Sequence, residues 1–195
     1  MRAIGSGIAR LMGWSAAGYT FLVVIPSYLQ SSLGATFQES LVSTVVANAG
    51  FAASILPAGW LSDRIGRRPV MLAGTVLILV LALPLLHLLQ HPESGAALQG
   101  GAVFVAGFVV GMIAGPGPAM LAEMFPTTVR YTGLGLAYSL SNAVFSGCAG
   151  LIITSLIEAT GNVDVPAYYV MATCAVSAVA IATLRGRAHR EALRS

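Results

Sequence analysis

At 195 residues, with 56% hydrophobic and only 9% charged, the chain carries far fewer charges than the roughly 25% of a soluble domain. A mean hydropathy of +0.83 excludes a core buried against water and indicates a multi-span membrane protein. The net charge of +3 does not point to nucleic acid: all ten basic residues are Arg, gathered in terminal or connecting segments, with no basic stripe interleaved with aromatics.

A helix needs about 20 apolar residues to cross the hydrocarbon. Six stretches qualify, predicting one six-helix transmembrane domain over 1–195 with a tail at 185–195. The first is about 11–32, containing Tyr19, Pro26 and Tyr28; Arg2 and Arg10 precede it, and it is too long for the apolar part of a signal peptide. The others are about 41–62, 69–89, 101–122, 132–156 and 166–184. The fourth is interrupted by Gly115-Pro116-Gly117-Pro118, and Pro57 and Pro84 join Pro26 as expected loosening points. Lipid tails do not drive helices together, so the 22 Gly are expected to permit close backbone contact.

Three connections, Gln30–Ser40, Gln90–Gly100 and Glu158–Val165 with its Gly161-Asn162 pair, hold no Arg or Lys but carry Glu39, Glu93, Glu158 and Asp164. The termini and the turns at 62–69 and 123–131 hold every Arg. The positive-inside rule then places both termini in the cytoplasm, which an even number of spans also demands. The expectation is a multi-pass protein of the cell (plasma or inner) membrane, with the lipid bilayer as partner. Trp14, Trp60 and Tyr131 fall near the inner interface, and Tyr28, Tyr168 and Tyr169 near the outer one.

The densest feature is the turn Gly59-Trp60-Leu61-Ser62-Asp63-Arg64-Ile65-Gly66-Arg67-Arg68-Pro69. Its three Arg cannot lie in hydrocarbon, so it must sit in water at a membrane face. Gly59 is expected to let two helices approach. Asp63 is placed to cap the N-terminus of a neighbouring helix. Gly66 permits the reversal, and Arg64, Arg67 and Arg68 fix the topology. The second cytoplasmic turn is Glu123-Met124-Phe125-Pro126-Thr127-Thr128-Val129-Arg130.

The first turn resembles the loop signature of the major facilitator superfamily of secondary transporters. The second turn, Arg130-Tyr131-Thr132-Gly133 and Pro166-Ala167-Tyr168-Tyr169 look like spans ten to twelve of its metabolite–proton symporter branch, which includes proline/betaine, citrate, dicarboxylate and shikimate carriers. The resemblance covers essentially the whole chain. It implies an all-α membrane protein: spans seven to twelve, the C-terminal six-helix half of a transporter, whose partner is a missing N-terminal six-helix half. It also implies a cytoplasmic gating network of Asp63, Arg67, Glu123 and Arg130 that holds one conformation closed and releases it as the halves rock. The fifth span departs from the branch: related symporters commonly show Gly-Tyr-Asn, a Gly-Gly pair and a Pro where this chain has Ala137-Tyr138-Ser139, Ser146-Gly147 and Gly150.

No Asp, Glu, Lys or Arg falls in the middle of a span, so a proton-coupling carboxylate is expected in the other half. His87, near the outer end of the third span with His91 just beyond, is the one candidate for an ionisable proton or substrate site within a span, against the simpler reading of an interfacial histidine. Polar residues at mid-depth are Tyr19, Thr20, Asn48, Ser139, Ser141, Asn142 and Ser146. Tyr138, Asn142 and Ser146 share one helical face, suited either to line a cavity or to hydrogen-bond between helices. Cys148 and Cys174 lie in apolar runs without metal-ligand spacing and are expected to be buried free thiols. No metal, cofactor or catalytic residue is expected: a nucleophile at Ser146 needs a base within reach, and His189 lies in the tail.

Two functional readings follow. One is half of a secondary active transporter moving a small organic solute, a carboxylate or zwitterion, by alternating access with a proton. The other is a truncated, non-transporting remnant or interaction subunit lacking the N-terminal half.

Overall fold

Backbone amides and carbonyls in hydrocarbon must be satisfied within their own segment, so each apolar stretch folds as a helix. The computed structural model describes residues 2–33, 36–91, 95–123 and 130–183. Six helices in it are long and apolar enough to cross a membrane. Helix α1 comprises Arg2–Tyr19 and Ile25–Leu33, joined by a π-helical turn at Thr20–Val24. Helix α2 is Phe37–Ile65 and α3 is Arg67–Gln90. Helix α4 comprises Ala96–Ala114 and Gly117–Glu123. Helix α5 comprises Arg130–Asn142 and Ala149–Thr160 around a π-helical turn at Ala143–Gly147, and α6 is Val165–Ala182. The predicted tail 185–195, Glu93 and the Met124–Val129 turn lie outside the described residues.

Local chemistry explains where the helix ends differ from the predicted spans. Helix α2 starts at Phe37 because Thr36 and Glu39 form a capping box. The Glu39 amide donates to Thr36 Oγ1 at 3.3 Å, and the Thr36 amide donates to Glu39 Oε2 at 2.8 Å. At its other end Gly66 adopts φ +100° and reverses the chain straight into α3. Gly161, at φ +66° and ψ 8°, closes α5 as a left-handed cap.

Glycine makes the α2–α4 seam, the most extensive helix pairing among the described residues. Gly107, Gly111 and Gly115 recur at i, i+4 and i+8, and so present one stripe. A Cβ on Gly107 would lie 1.9 Å from the Ala47 carbonyl oxygen, one on Gly111 2.5 Å from that of Phe51, and one on Gly115 2.6 Å from that of Ile55. From the other side, a Cβ on Gly50 would lie 2.2 Å from the Phe104 carbonyl oxygen. Backbone lies against backbone, which is how helices associate where lipid supplies no hydrophobic drive. The remaining core gathers around α1, α3, α4 and α6, with Ala17, Met71, Val110 and Cys174 fully enclosed.

The proline expectation holds only in part. The α4 helix breaks at Gly115–Pro116 as its sequence demands, but Pro57 and Pro84 lie inside uninterrupted helices. The other irregularities are the two π-turns. The one in α1 directly precedes Pro26, which lacks an N–H for the carbonyl one turn back. The other has no proline at all.

Packing also adds detail to the aromatics and corrects one thiol. Trp60, Tyr131 and Tyr168 are exposed at helix ends, as interfacial aromatics are. Trp14 is turned inward instead, against Gly117 and the ring of Tyr138 at 5.7 Å. Tyr28 is buried, and the Tyr169 hydroxyl donates to the Phe145 carbonyl inside the α5 π-turn at 2.8 Å. Both thiols are free, but Cys148 is exposed and only Cys174 is buried.

Candidate functional site

At one end of the bundle the α2–α3 turn and the end of α4 converge. Because Gly66 alone separates α2 from α3, Asp63 and Arg67 stand side by side although they belong to different helices. Arg67 Nε donates to Glu123 Oε1 at 2.7 Å, and Arg67 Nη1 lies 3.1 Å from Asp63 Oδ1. The same Nη1 reaches the buried Ser62 hydroxyl at 3.5 Å, and that hydroxyl donates to the Gly59 carbonyl at 2.7 Å. The Arg67 and Glu123 side chains are 26% and 28% exposed, whereas Asp63 is 64% exposed, so the Glu123 arm is the better sheltered contact. One planar guanidinium thus ties three elements, a task its fork of donors suits.

The other two Arg of the turn do different work. The Arg64 guanidinium stacks 4.0 Å from the centroid of Trp60, a cation–π contact at the exposed edge. Arg68 donates to the Ala182 carbonyl, and Arg10 Nε donates to that of Ala180 at 3.2 Å. Two guanidinia from α1 and α3 therefore meet carbonyls at the C-terminus of α6, where the helix dipole also favours cations; that of Ala180 accepts the Thr183 hydroxyl as well, at 2.8 Å. Arg10 lies inside α1, earlier in the helix than the predicted start of the span, and its long side chain reaches the bundle end.

Two expectations for this turn are corrected. Asp63 caps no neighbouring helix among the described residues: its carboxylate meets the Arg67 guanidinium. Gly59 is not where α2 and α4 need room, since a Cβ there would meet nothing within 4 Å. The glycine that provides the approach is Gly115, whose Cβ would lie 3.0 Å from the Gly59 amide nitrogen. Arg130 opens the segment Arg130–Asn142, but its side chain lies outside the described residues. Three of the four expected network members are therefore placed together.

Deeper in the bundle, α1 and α5 run in the same direction and are tied by serines. The Ser15 and Ser141 hydroxyls pair at 3.2 Å, buried, and the Ser146 hydroxyl donates to the Ser15 carbonyl at 2.8 Å. Ser146 also lies 3.3 Å from Asn142 Oδ1, while Asn142 Nδ2 donates to the Tyr138 carbonyl at 3.0 Å. Ser146 thus bonds between helices, and Asn142 bonds within its own. Tyr138 and Ser139 are exposed on α5, and exposed Asn48 donates to the Thr44 carbonyl of its own helix at 2.8 Å. The Thr20 hydroxyl, at the start of the α1 π-turn, is buried without a hydrogen-bond partner. Tyr19 lines a groove of about 370 Å³ between α1 and α5, with Ser27, Tyr28, Thr154 and Glu158.

Helices α2 and α5 stand out by exposure. Only 22% of the apolar window of α2 and 17% of that of α5 are buried within the chain, against 44–50% for the other four. Two apolar helices are therefore available to lipid or to a further helical body.

The sequence of these elements matches the family model of the Major Facilitator Superfamily over residues 4–195. The chain belongs to the major facilitator superfamily. Among its relatives is a citrate-proton symporter of Klebsiella pneumoniae, 34% identical over 92% of this chain and 43% of the relative. An ectoine/proline transporter of Corynebacterium glutamicum is 30% identical over 90% of this chain and 34% of the relative. A proline/betaine transporter of Escherichia coli is 29% identical over 97% of this chain and 37% of the relative. These are metabolite carriers of the branch the two turns resemble. This superfamily member thus spans about a third to two fifths of the relatives it matches, as expected of half a transporter.

Proposed function

We propose that the chain is one wall of a secondary active transporter that moves a small organic solute, a carboxylate or zwitterion, by alternating access coupled to protons. Its counterpart is a second six-helix body, joined in one longer polypeptide or supplied separately, with the solute held between them. The Arg67 contact carries this reading. It ties the α2–α3 turn to the end of α4 through an ion pair that water can reach, so it can break and re-form as the body tilts. The two least buried helices, α2 and α5, are the faces offered to that second body.

The orientation follows the charges: the Arg67 end faces the cytoplasm, in the plasma or inner membrane, with both termini on that side. Gly59, Asp63, Arg64, Gly66, Arg67, Arg68, Glu123 and Arg130 belong to the gating end. Tyr19, Asn48, Tyr138, Ser139 and Asn142 are the polar groups offered toward the pathway, while Ser146 is turned to the Ser15 carbonyl of α1.

The test is uptake of radiolabelled proline, betaine and citrate by cells producing the chain fused behind the first six spans of one of its relatives. We expect uptake from the fusion and none from the chain alone. Asp63→Asn in the fusion is expected to lower uptake several-fold without preventing insertion. A fusion that inserts and folds but moves none of the solutes supports the other reading, a remnant or interaction subunit.

A further inference from the structure

At the end of the bundle opposite Arg67, a second polar network joins three elements. It is built on the turn between α5 and α6. The Tyr28 hydroxyl of α1 donates to the Val163 carbonyl at 3.1 Å. Gln90 Nε2, in the last turn of α3, lies 3.1 Å from the Tyr28 hydroxyl, 3.3 Å from the Val163 carbonyl and 3.1 Å from Asp164 Oδ1. One NH₂ group carries two protons, so these three acceptors share them. The other Asp164 oxygen, Oδ2, lies 3.3 Å from His87 Nε2, one helical turn before Gln90. Asp164 also closes its own turn, its amide donating to Asn162 Oδ1 at 2.8 Å.

From this arrangement we propose that His87 and Asp164 form a proton-responsive strap that fixes the α5–α6 turn onto α3. Gln90 and Tyr28 hold the turn from one side whatever the pH. His87 grips the carboxylate from the other side, and its grip depends on its charge. An exposed pair on a mobile loop would be weak. Here the carboxylate is already positioned by Gln90 and by the turn, so little ordering remains to be done. The imidazole pairs with the carboxylate as a cation only when protonated, so the strap is tight with the imidazolium and loosens when that proton is lost.

The other titratable groups at this end do not compete for His87. Glu39 begins α2 and is engaged by Thr36; His91 is exposed one turn beyond His87 on α3; Glu158 lies near the end of α5. Tyr28 is bonded to Val163, while Tyr168 and Tyr169 stand in the first turns of α6. Helix α4 starts with Gly95–Gly101, which carries no titratable side chain, and Glu93 lies outside the described residues. The strap works in the chain by itself and does not require transport. In the orientation proposed above it would face the outside and respond to external protons.

The experiment uses the full chain in lipid nanodiscs, with a nitroxide on Val163→Cys in a Cys148→Ala background. The Val163 side chain is exposed while its carbonyl sits in the network, so the label reports the turn without occupying it. Between about pH 5 and pH 8, the range of histidine titration, we expect the mobile fraction of the spectrum to rise about threefold. With His87→Gln or Asp164→Asn the spectrum should stay constant across that range. His91→Gln should leave the rise intact. Matching circular dichroism shows that each variant is folded. A flat response in the parent, a rise that survives in His87→Gln or Asp164→Asn, or a rise lost in His91→Gln would overturn the proposal.

Discussion

Arg67 Nε and Glu123 Oε1 lie 2.7 Å apart, joining two helix ends that are 56 residues apart in the chain. The contact is partly sheltered, so its coupling energy should exceed that of a fully exposed pair. A double-mutant cycle with Arg67→Ala and Glu123→Ala, read by unfolding in mixed micelles, should give about 1 kcal/mol of coupling. Arg67→Lys should recover only part of it, because a point charge cannot serve Glu123 and Asp63 with fixed donors. Strict additivity of the two single variants would mean that the pair contributes nothing.

The α2–α4 seam makes a sharper demand. The Cβ of Gly107→Ala would collide with a backbone carbonyl, which cannot swing aside as a side chain can. The variant should lose about 1–3 kcal/mol, the cost of overpacking a tight interface. Gly59→Ala, where a Cβ meets nothing within 4 Å, should be neutral or slightly stabilising, since alanine restricts the unfolded chain. Thermal unfolding of the two variants side by side tests this; equal losses would refute the seam.

What the sequence could reveal divides along the range of the interactions. Helix number, the reversal at Gly66 and the break at Gly115–Pro116 are local, and they could be read from composition and turn residues. The meeting of Arg67 with Asp63 is what the resemblance implies, whereas the residues alone suggest a helix cap. The partner choices of Arg68, Arg10 and Tyr169 were not legible, because each bonds a backbone carbonyl on α5 or α6, and carbonyls leave no mark in a sequence. The room expected at Gly59 is provided by Gly115, at the end of the Ala96–Ala114 segment, because only the seam decides which glycine faces a neighbour. Gln90 and Asp164 stood in connections that read as solvent-exposed, and only the fold brings them to Tyr28 and His87.

Gly66 combines φ +100° with ψ 151°, a region that side chains other than glycine avoid. Gly66→Ala should therefore cost about 1–3 kcal/mol, even though the nearest atom to its Cβ is Pro69 Cδ at an ordinary 3.6 Å. The cause is backbone strain rather than collision, so Gly66→Asn should be no better tolerated than alanine at this ψ. Unfolding midpoints within error of the parent for both variants would show that the α2–α3 reversal can be made another way.

The two readings of the Tyr138–Asn142–Ser146 face make opposite predictions. Ser146 bonds the Ser15 carbonyl across to α1, while Asn142 donates to its own helix. Ser146→Ala should lower stability by about 0.6 kcal/mol, the average for a hydrogen bond between membrane helices. Asn142→Ala should leave stability within about 0.5 kcal/mol, as for a side chain away from any interhelical contact. In a transport-competent fusion the order should reverse: Asn142→Ala should raise the KM for solute and Ser146→Ala should not. If Ser146→Ala changes KM while stability holds, the serine lines the pathway, and the bond to α1 is incidental to its role.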